Sequence, residues 1–166
     1  MGLTILTFPD HRLKQIAEKV TENTNELQQF IQNLIASLHE SNGIGLAATQ
    51  VGSKLRLFVL DLSEEQNAPR CFINPVIIDS DGVVTSEEGC LSFPNVYASI
   101  QRWKKITVEY LDQNFNPQTI SCDDLLAICI QHELDHLNGI TLYDKLSKLK
   151  QERIKTKLFK QNALAK

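Results

Sequence analysis

Residues 125–138 would be apolar on most sides of a helix (Leu125, Leu126, Ile128, Ile130, Leu134, Leu137), yet they contain His132-Glu133-Leu134-Asp135-His136. A helix that is apolar nearly all round is a buried one. The fold must therefore carry two imidazoles into its interior on this segment, with Asp123 or Asp124 expected to cap its start and Gly139 to stop it. Histidines four residues apart project from one face, about 6 Å apart along the axis at a rise of ~1.5 Å per residue. Two imidazoles so placed can bracket one metal ion. Glu133 follows the first of them, so its carboxylate falls near the ion's open side, where it can carry a proton.

The rest of the chain supplies layers to bury this helix. Leu27, Phe30, Ile31, Leu34, Ile35 and Leu38 recur with a 3.6-residue period and predict an amphipathic helix over 25–41, capped by Thr24 or Asn25 and ended by Gly43. β-Branched runs at 55–60, 71–78 and 106–111 predict antiparallel strands, the last leading into a turn over 112–117. A final helix is expected from about Lys145. The expected class is α+β: antiparallel β-sheets packed around a central HExxH-bearing helix, with an N-terminal amphipathic helix and a C-terminal helix. With 166 residues, 42% of them hydrophobic, and neither linker nor repeat, residues 1–166 are expected to form a single catalytic domain, 145–166 being a basic C-terminal helix or tail.

HExxH fixes only three positions, so the remaining ligand has to be found. A third histidine in the extended form of the motif would stand at 142, where the chain has Leu142. His11 and His39 lie upstream in expected surface helices, and the only downstream carboxylate in a suitable place is Glu152. The four cysteines, Cys71, Cys90, Cys122 and Cys129, form no CxxC pair and are expected to be reduced. Cys129 shares the helix face but lies seven residues from His136, ~10 Å along the axis. Ligand bonds of ~2.0–2.3 Å do not gather three side chains over that span, so Cys129 is expected to be a core or pocket thiol. Cys90, in Glu87-Glu88-Gly89-Cys90-Leu91-Ser92, is free to approach from elsewhere. The segment 43–50 matches the loose GxGxxA pattern, but it follows a helix and leads toward a strand, the reverse of a dinucleotide loop. Its glycines instead let backbone pass close to a ligand, and Gln50 offers an amide donor.

Gly43-Ile44-Gly45-Leu46-Ala47-Ala48-Thr49-Gln50, Glu88-Gly89-Cys90-Leu91-Ser92 and Gln131-His132-Glu133-Leu134-Asp135-His136, in that order, resemble the three signature motifs of the peptide deformylases. The likeness runs from Phe8-Pro9-Asp10 and Leu13 to the helix beyond Tyr143. It implies removal of the formyl group from formylmethionyl nascent peptides, with Cys90, His132 and His136 as metal ligands and a water at the open fourth position. Glu133 would take the proton of that water and hand it to the departing amine. The Gln50 side-chain amide and the Leu91 backbone N–H would face the oxyanion. Backbone near Ile44 and Gly45 would pair with the extended peptide, with Gly89 also among the substrate-binding residues, and Ile44, Leu125, Ile128 and Cys129 would line the methionine pocket. The resemblance points to Fe2+ as the working ion, with Zn2+, Ni2+ or Co2+ able to substitute. Some members carry an arginine at the position of Tyr97; here Arg102 lies nearby, and the role is not transferred to Tyr97.

Eight Lys or Arg against Glu152 give residues 145–166 a net charge of +7, leaving −10 on residues 1–144. Such an end suits an anionic partner, and the resemblance adds docking on the ribosome, although basic residues on all sides also describe a solvated helix. No sequence-specific nucleic-acid reader and no membrane partner is expected, since no apolar run approaches ~18 residues. The start of the chain has no basic and apolar leader, so a cytoplasmic location is expected. Two other functions remain open on sequence. One is an HExxH metallopeptidase acting on ordinary amides; the other is a zinc-stabilised ribosome-binding module with a further cysteine closing the site.

Overall fold

The Thr24 hydroxyl accepts a hydrogen bond from the Leu27 N–H at 3.1 Å and so starts helix α1, Asn25–Glu40. Its stripe of Leu27, Ile31, Leu34 and Leu38 is buried. Asn42, at φ 57°, makes the left-handed turn that ends it, rather than the expected Gly43. In this computed structural model, which describes residues 2–164, the chain then forms β1 (Gly45–Ala47), β2 (Leu57–Leu60), β3 (Arg70–Cys90), β4 (Phe93–Leu111) and β5 (Pro117–Asp123). Met1 and residues 165–166 of the expected basic tail lie outside the described residues.

The strands make one five-stranded antiparallel sheet in chain order, where more than one sheet was expected. β3 and β4 run well beyond the apolar stretches that announced them. Residues 79–90 are mostly polar, and cross-strand pairing with β4, from Asp79↔Thr107 to Cys90↔Phe93, holds them rather than burial. β5 is a mostly exposed edge strand without an apolar period, and β1 is three residues long; neither carries a strand signal in sequence.

All four residues of β2 are buried because each of its faces is covered. Leu57 and Val59 pack with the α1 stripe, while Phe58 and Leu60, joined by Phe72, Ile106 and Val108, pack against α2. Helix α2, Asp124–Leu137, contributes Ala127, Ile130 and Leu137 to that second core. Neither Asp caps it through its side chain as expected: Asp123 makes no cap hydrogen bond and Asp124 itself turns at φ 52°, because β5 runs straight into the helix. Its end is the expected glycine stop. Gly139 (φ 73°) donates to the His136 carbonyl at 3.1 Å and Ile140 to that of Asp135 at 2.8 Å. A side chain on Gly139 would also lie 2.5 Å from the Lys14 carbonyl oxygen. Nor is α2 wholly apolar and buried: Gln131, Glu133 and His136 are buried polar residues, and Leu125 is exposed.

Gln131 fixes α2 against the sheet. β5 pairs with β4 only as far as Asp123↔Lys105; beyond it the Gln131 amide takes the place of a strand, its Oε1 accepting from Trp103 N–H at 2.8 Å and its Nε2 donating to the Trp103 carbonyl at 2.9 Å. The next residue along the helix is His132. Helix α3, Lys148–Leu164, is anchored by Leu158 and Ile154 against Phe93 and Val96, with its lysines turned outward. No helix among the described residues is long and apolar enough to cross a membrane.

Candidate active site

Cys90 closes β3, and His132 and His136 lie one turn apart on α2. One ligand atom from each comes within 4.8 Å of the other two. Cys90 Sγ stands 3.3 Å from His136 Nε2, and the imidazoles meet edge to face, 5.1 Å between centroids. His132 Nδ1 faces Glu88 Oε1 at 2.9 Å, which leaves its Nε2 for the site. One thiol and two imidazoles suit a divalent ion such as zinc or iron. Cys129 is not in this group, and His39 is engaged with Asp61 at 2.8 Å.

The buried carboxyl of Glu133 comes within 4.0 Å of His132 Nε2 through Oε1, while Oε2 has no hydrogen-bond partner. Burial pushes its pKa up to about 7, against the pull of His132 and Arg102. An unpartnered carboxylate oxygen beside a set of metal-binding donors is a base in want of a proton. Gly45 makes room for it: a Cβ there would lie 2.7 Å from Glu133 Oε1 and 2.8 Å from Leu60 Cδ2. Gln50 is almost wholly buried, with Oε1 accepting from Ala47 N–H at 2.9 Å and Nε2 directed at Ser92 Oγ (3.1 Å) and Cys90 Sγ (3.6 Å). Leu91 sits in the tight turn between β3 and β4, beside Cys90.

Sequence reasoning gave no role to the groups behind His132. Arg102 donates to both oxygens of Glu88, from Nε at 2.9 Å and Nη2 at 2.8 Å, and to Asp135 from Nη1 at 2.6 Å; Lys145 adds a longer ion pair to Asp135 at 3.4 Å. Burial opposes ionisation of Glu88, but the hydrogen bonds from Arg102 and His132 prevail and hold its pKa at about 2. Burial likewise opposes protonation of His132, but its hydrogen bonds to Cys90 and Glu88 raise its pKa well above the ordinary value. A cation held by Nε2 competes for the same lone pair. Burial keeps His136 neutral. The signal for Arg102 lay in β4, where Val96, Ala98, Ile100, Ile106 and Val108 alternate inward and Arg102 falls on that same face. A buried arginine calls for carboxylates.

A cleft of about 610 Å³ opens above these groups, and His132, Glu133, Gln50 and Cys90 all line it. Ile44, Gly45, Gly89, Leu125, Ile128 and Cys129, all expected at the substrate, line it too, as does Leu91. His136 lies beneath, almost wholly buried. Tyr97 stands exposed at the rim against Gly89, whereas Arg102 is buried behind Glu88 and out of reach of a peptide.

Residues 3–152 match the family model described as polypeptide deformylase. The chain belongs to the peptide deformylase family. The peptide deformylase of Neisseria meningitidis serogroup C is 49% identical to it over 158 residues, 95% of each chain. Among solved structures, a peptide deformylase from Legionella pneumophila superposes with a TM-score of 0.95 at 39% identity, covering 99% of this chain and 98% of that one. The peptide deformylase of Ehrlichia chaffeensis in complex with actinonin gives a TM-score of 0.91 at 38% identity, covering 96% and 97%. The three motifs of this peptide deformylase family member, far apart in sequence, thus line or underlie one cleft.

Proposed function

We propose that this chain, as one cytoplasmic catalytic domain, hydrolyses the N-formyl group of formylmethionyl nascent peptides and releases formate. The observation that carries this reading is the unpartnered, buried Glu133 carboxylate beside Cys90, His132 and His136 on the floor of a largely apolar cleft.

Cys90, His132 and His136 would hold one divalent ion. Thiolate and imidazole donors accept Fe2+, which we assign as the working ion, and also Zn2+, Ni2+ or Co2+. When bound, that ion supplies Lewis acidity, making water in the site more acidic and the formyl carbon more electrophilic. Glu133 takes a proton from the attacking water and returns it to the amine nitrogen as the C–N bond breaks, so one water yields formate and a free amine. The Gln50 Nε2–H and the Leu91 backbone N–H face the formyl oxygen as it gains charge. Backbone at Ile44 and at Gly45, where edge strand β1 begins, pairs with the extended peptide, and Gly89 borders it from β3. The methionine side chain lies among Ile44, Leu125, Ile128 and Cys129. Burial pushes the Cys129 thiol up to about 12, so it stays neutral there.

Among the described residues no second cysteine joins Cys90, His132 and His136 as a fourth ligand, which supports this reading over a closed zinc module. The exposed lysines of α3 support docking on the ribosome. Truncating α3 would also uncover Phe93 and Val96, so reversing the charges of the exposed Lys148, Lys150 and Lys155 is the cleaner probe: weaker co-sedimentation with ribosomes is expected, and unchanged co-sedimentation would remove the idea.

The function is tested by giving formyl-Met-Ala-Ser and Met-Ala-Ser to protein purified anaerobically and loaded with ferrous iron. Formate from the first and no cleavage of either peptide bond is expected. Cleavage of the Met–Ala bond would make the protein a peptidase.

A further inference from the structure

Gln50 and Ser92 are both almost wholly buried, and one stretch of backbone pins them together: Leu6 N–H donates to the Gln50 carbonyl and Phe8 N–H to the Ser92 carbonyl, each at 2.8 Å. The Gln50 amide has a single consistent orientation, because Ala47 N–H can donate only to an oxygen, which makes that atom Oε1. Its NH2 group then has two protons to place. Ser92 Oγ, 3.1 Å away, accepts one of them. The two N–H bonds of an amide diverge in one plane, so with Oε1 and one proton held, the second proton can point only toward the Cys90 Sγ side, 3.6 Å from Nε2.

We propose that Ser92 is a positioning residue of the deformylation site: its hydroxyl holds the Gln50 amide plane so that one N–H is aimed at the formyl oxygen before substrate arrives. The proposal rests on the reading of Gln50 as the donor to that oxygen. Without Ser92 the amide keeps only its Oε1 hydrogen bond and the long 3.6 Å contact of Nε2 with Cys90 Sγ, so its plane is freer to swing. The donor then has to be oriented during the reaction, and catalysis loses the benefit of a preset dipole. Ser92 touches neither substrate nor ion in this scheme, so its effect belongs in kcat and passes through Gln50.

The test compares wild type with Ser92→Ala, Gln50→Ala and the double variant in ferrous-loaded protein, measuring kcat and KM for formyl-Met-Ala-Ser alongside metal content and Tm. Gln50→Ala should lower kcat about 10²–10³-fold. Ser92→Ala should lower it about tenfold, equivalent to ~1.4 kcal/mol, with KM within about twofold. The double variant should match Gln50→Ala. In the diamagnetic zinc-loaded protein, the side-chain amide resonances of Gln50, assigned by their loss in Gln50→Ala, should be slow to exchange in wild type and faster in Ser92→Ala. Wild-type kcat in Ser92→Ala beside an impaired Gln50→Ala overturns the role of Ser92 alone. A Ser92→Ala loss that persists undiminished in the Gln50→Ala background makes Ser92 a structural residue and also overturns it. An unimpaired Gln50→Ala overturns the reading of Gln50, and the proposal falls with it.

Discussion

Glu88 Oε1 meets His132 Nδ1 at 2.9 Å, on the side of the ring turned away from Cys90. This contact fixes which imidazole nitrogen faces the site, and Arg102 fixes Glu88 in turn through two hydrogen bonds. Glu88→Ala should weaken metal binding about 10–100-fold, read by competition with a chelator. Arg102→Ala should lower stability by about 3–5 kcal/mol in urea unfolding, because it leaves buried Glu88 without its cation. Equal metal affinity in wild type and Glu88→Ala would refute the first expectation.

Gly45 bounds the other side of the carboxylate. In Gly45→Ala the new methyl would meet Glu133 Oε1 at 2.7 Å and Leu60 Cδ2 at 2.8 Å, so either Glu133 or β1 must move. A displacement near 1 Å at a reacting group costs on the order of 10²-fold in rate. Overpacking should also cost about 1–3 kcal/mol of stability. By contrast, a Cβ on Gly89 is crowded by the ring of exposed Tyr97, which can swing aside, and meets the Val96 carbonyl oxygen at an ordinary 3.7 Å, so Gly89→Ala should fold with wild-type stability. Equal kcat in Gly45→Ala and wild type would mean that Glu133 does not need its present place.

Helix α1 was legible because its apolar positions keep the helical period, and α1 and α2 both carry local punctuation: Thr24 caps α1 and Gly139 stops α2. The histidine pair was legible for a similar reason, since the His132–His136 spacing is a property of one helix, whereas Cys90 joined it only through the likeness of its segment to a family motif. The outer halves of β3 and β4 were not legible, because Asp79–Gly89 is held by pairing with partners 8–28 residues away and shows no apolar period. The same dependence hid Glu88. Nothing local separates it from Glu87; only the strand register turns Glu88 inward to Arg102 and Glu87 out to solvent. Gln131 and Ser92 were hidden in turn because their partners, Trp103 and Gln50, are set by tertiary packing.

Asp61 carries a pH prediction away from the metal-binding group. Burial raises its pKa, but hydrogen bonds from Ser63 and His39 outweigh it and leave it below the ordinary value of 3.8. A carboxyl lowered in the folded state stabilises the fold above its unfolded pKa, and that contribution is lost as pH falls through the folded value. Asp61→Asn should therefore be less stable than wild type at pH 7, with the gap closing below about pH 3.8. Parallel urea midpoints for both proteins from pH 7 down to pH 2 would contradict this.

Leu158 and Phe159 are neighbours on α3 with opposite surroundings, one buried against Phe93 and Val96, the other exposed. Leu158→Ala should cost about 2–4 kcal/mol in chemical unfolding. Phe159→Ala should stay within about 0.5 kcal/mol of wild type. Similar losses in both would mean that α3 is not anchored as described.

In the proposed reaction Glu133 moves the proton of formyl hydrolysis without holding the ion. The most direct measurement is formate release from formyl-Met-Ala-Ser by wild type and Glu133→Ala, each loaded anaerobically with ferrous iron and assayed for bound metal. Equal metal content with kcat lowered at least about 10²-fold in Glu133→Ala is expected. Full turnover by the metal-loaded variant, or no formate from the metal-loaded wild type, would contradict it.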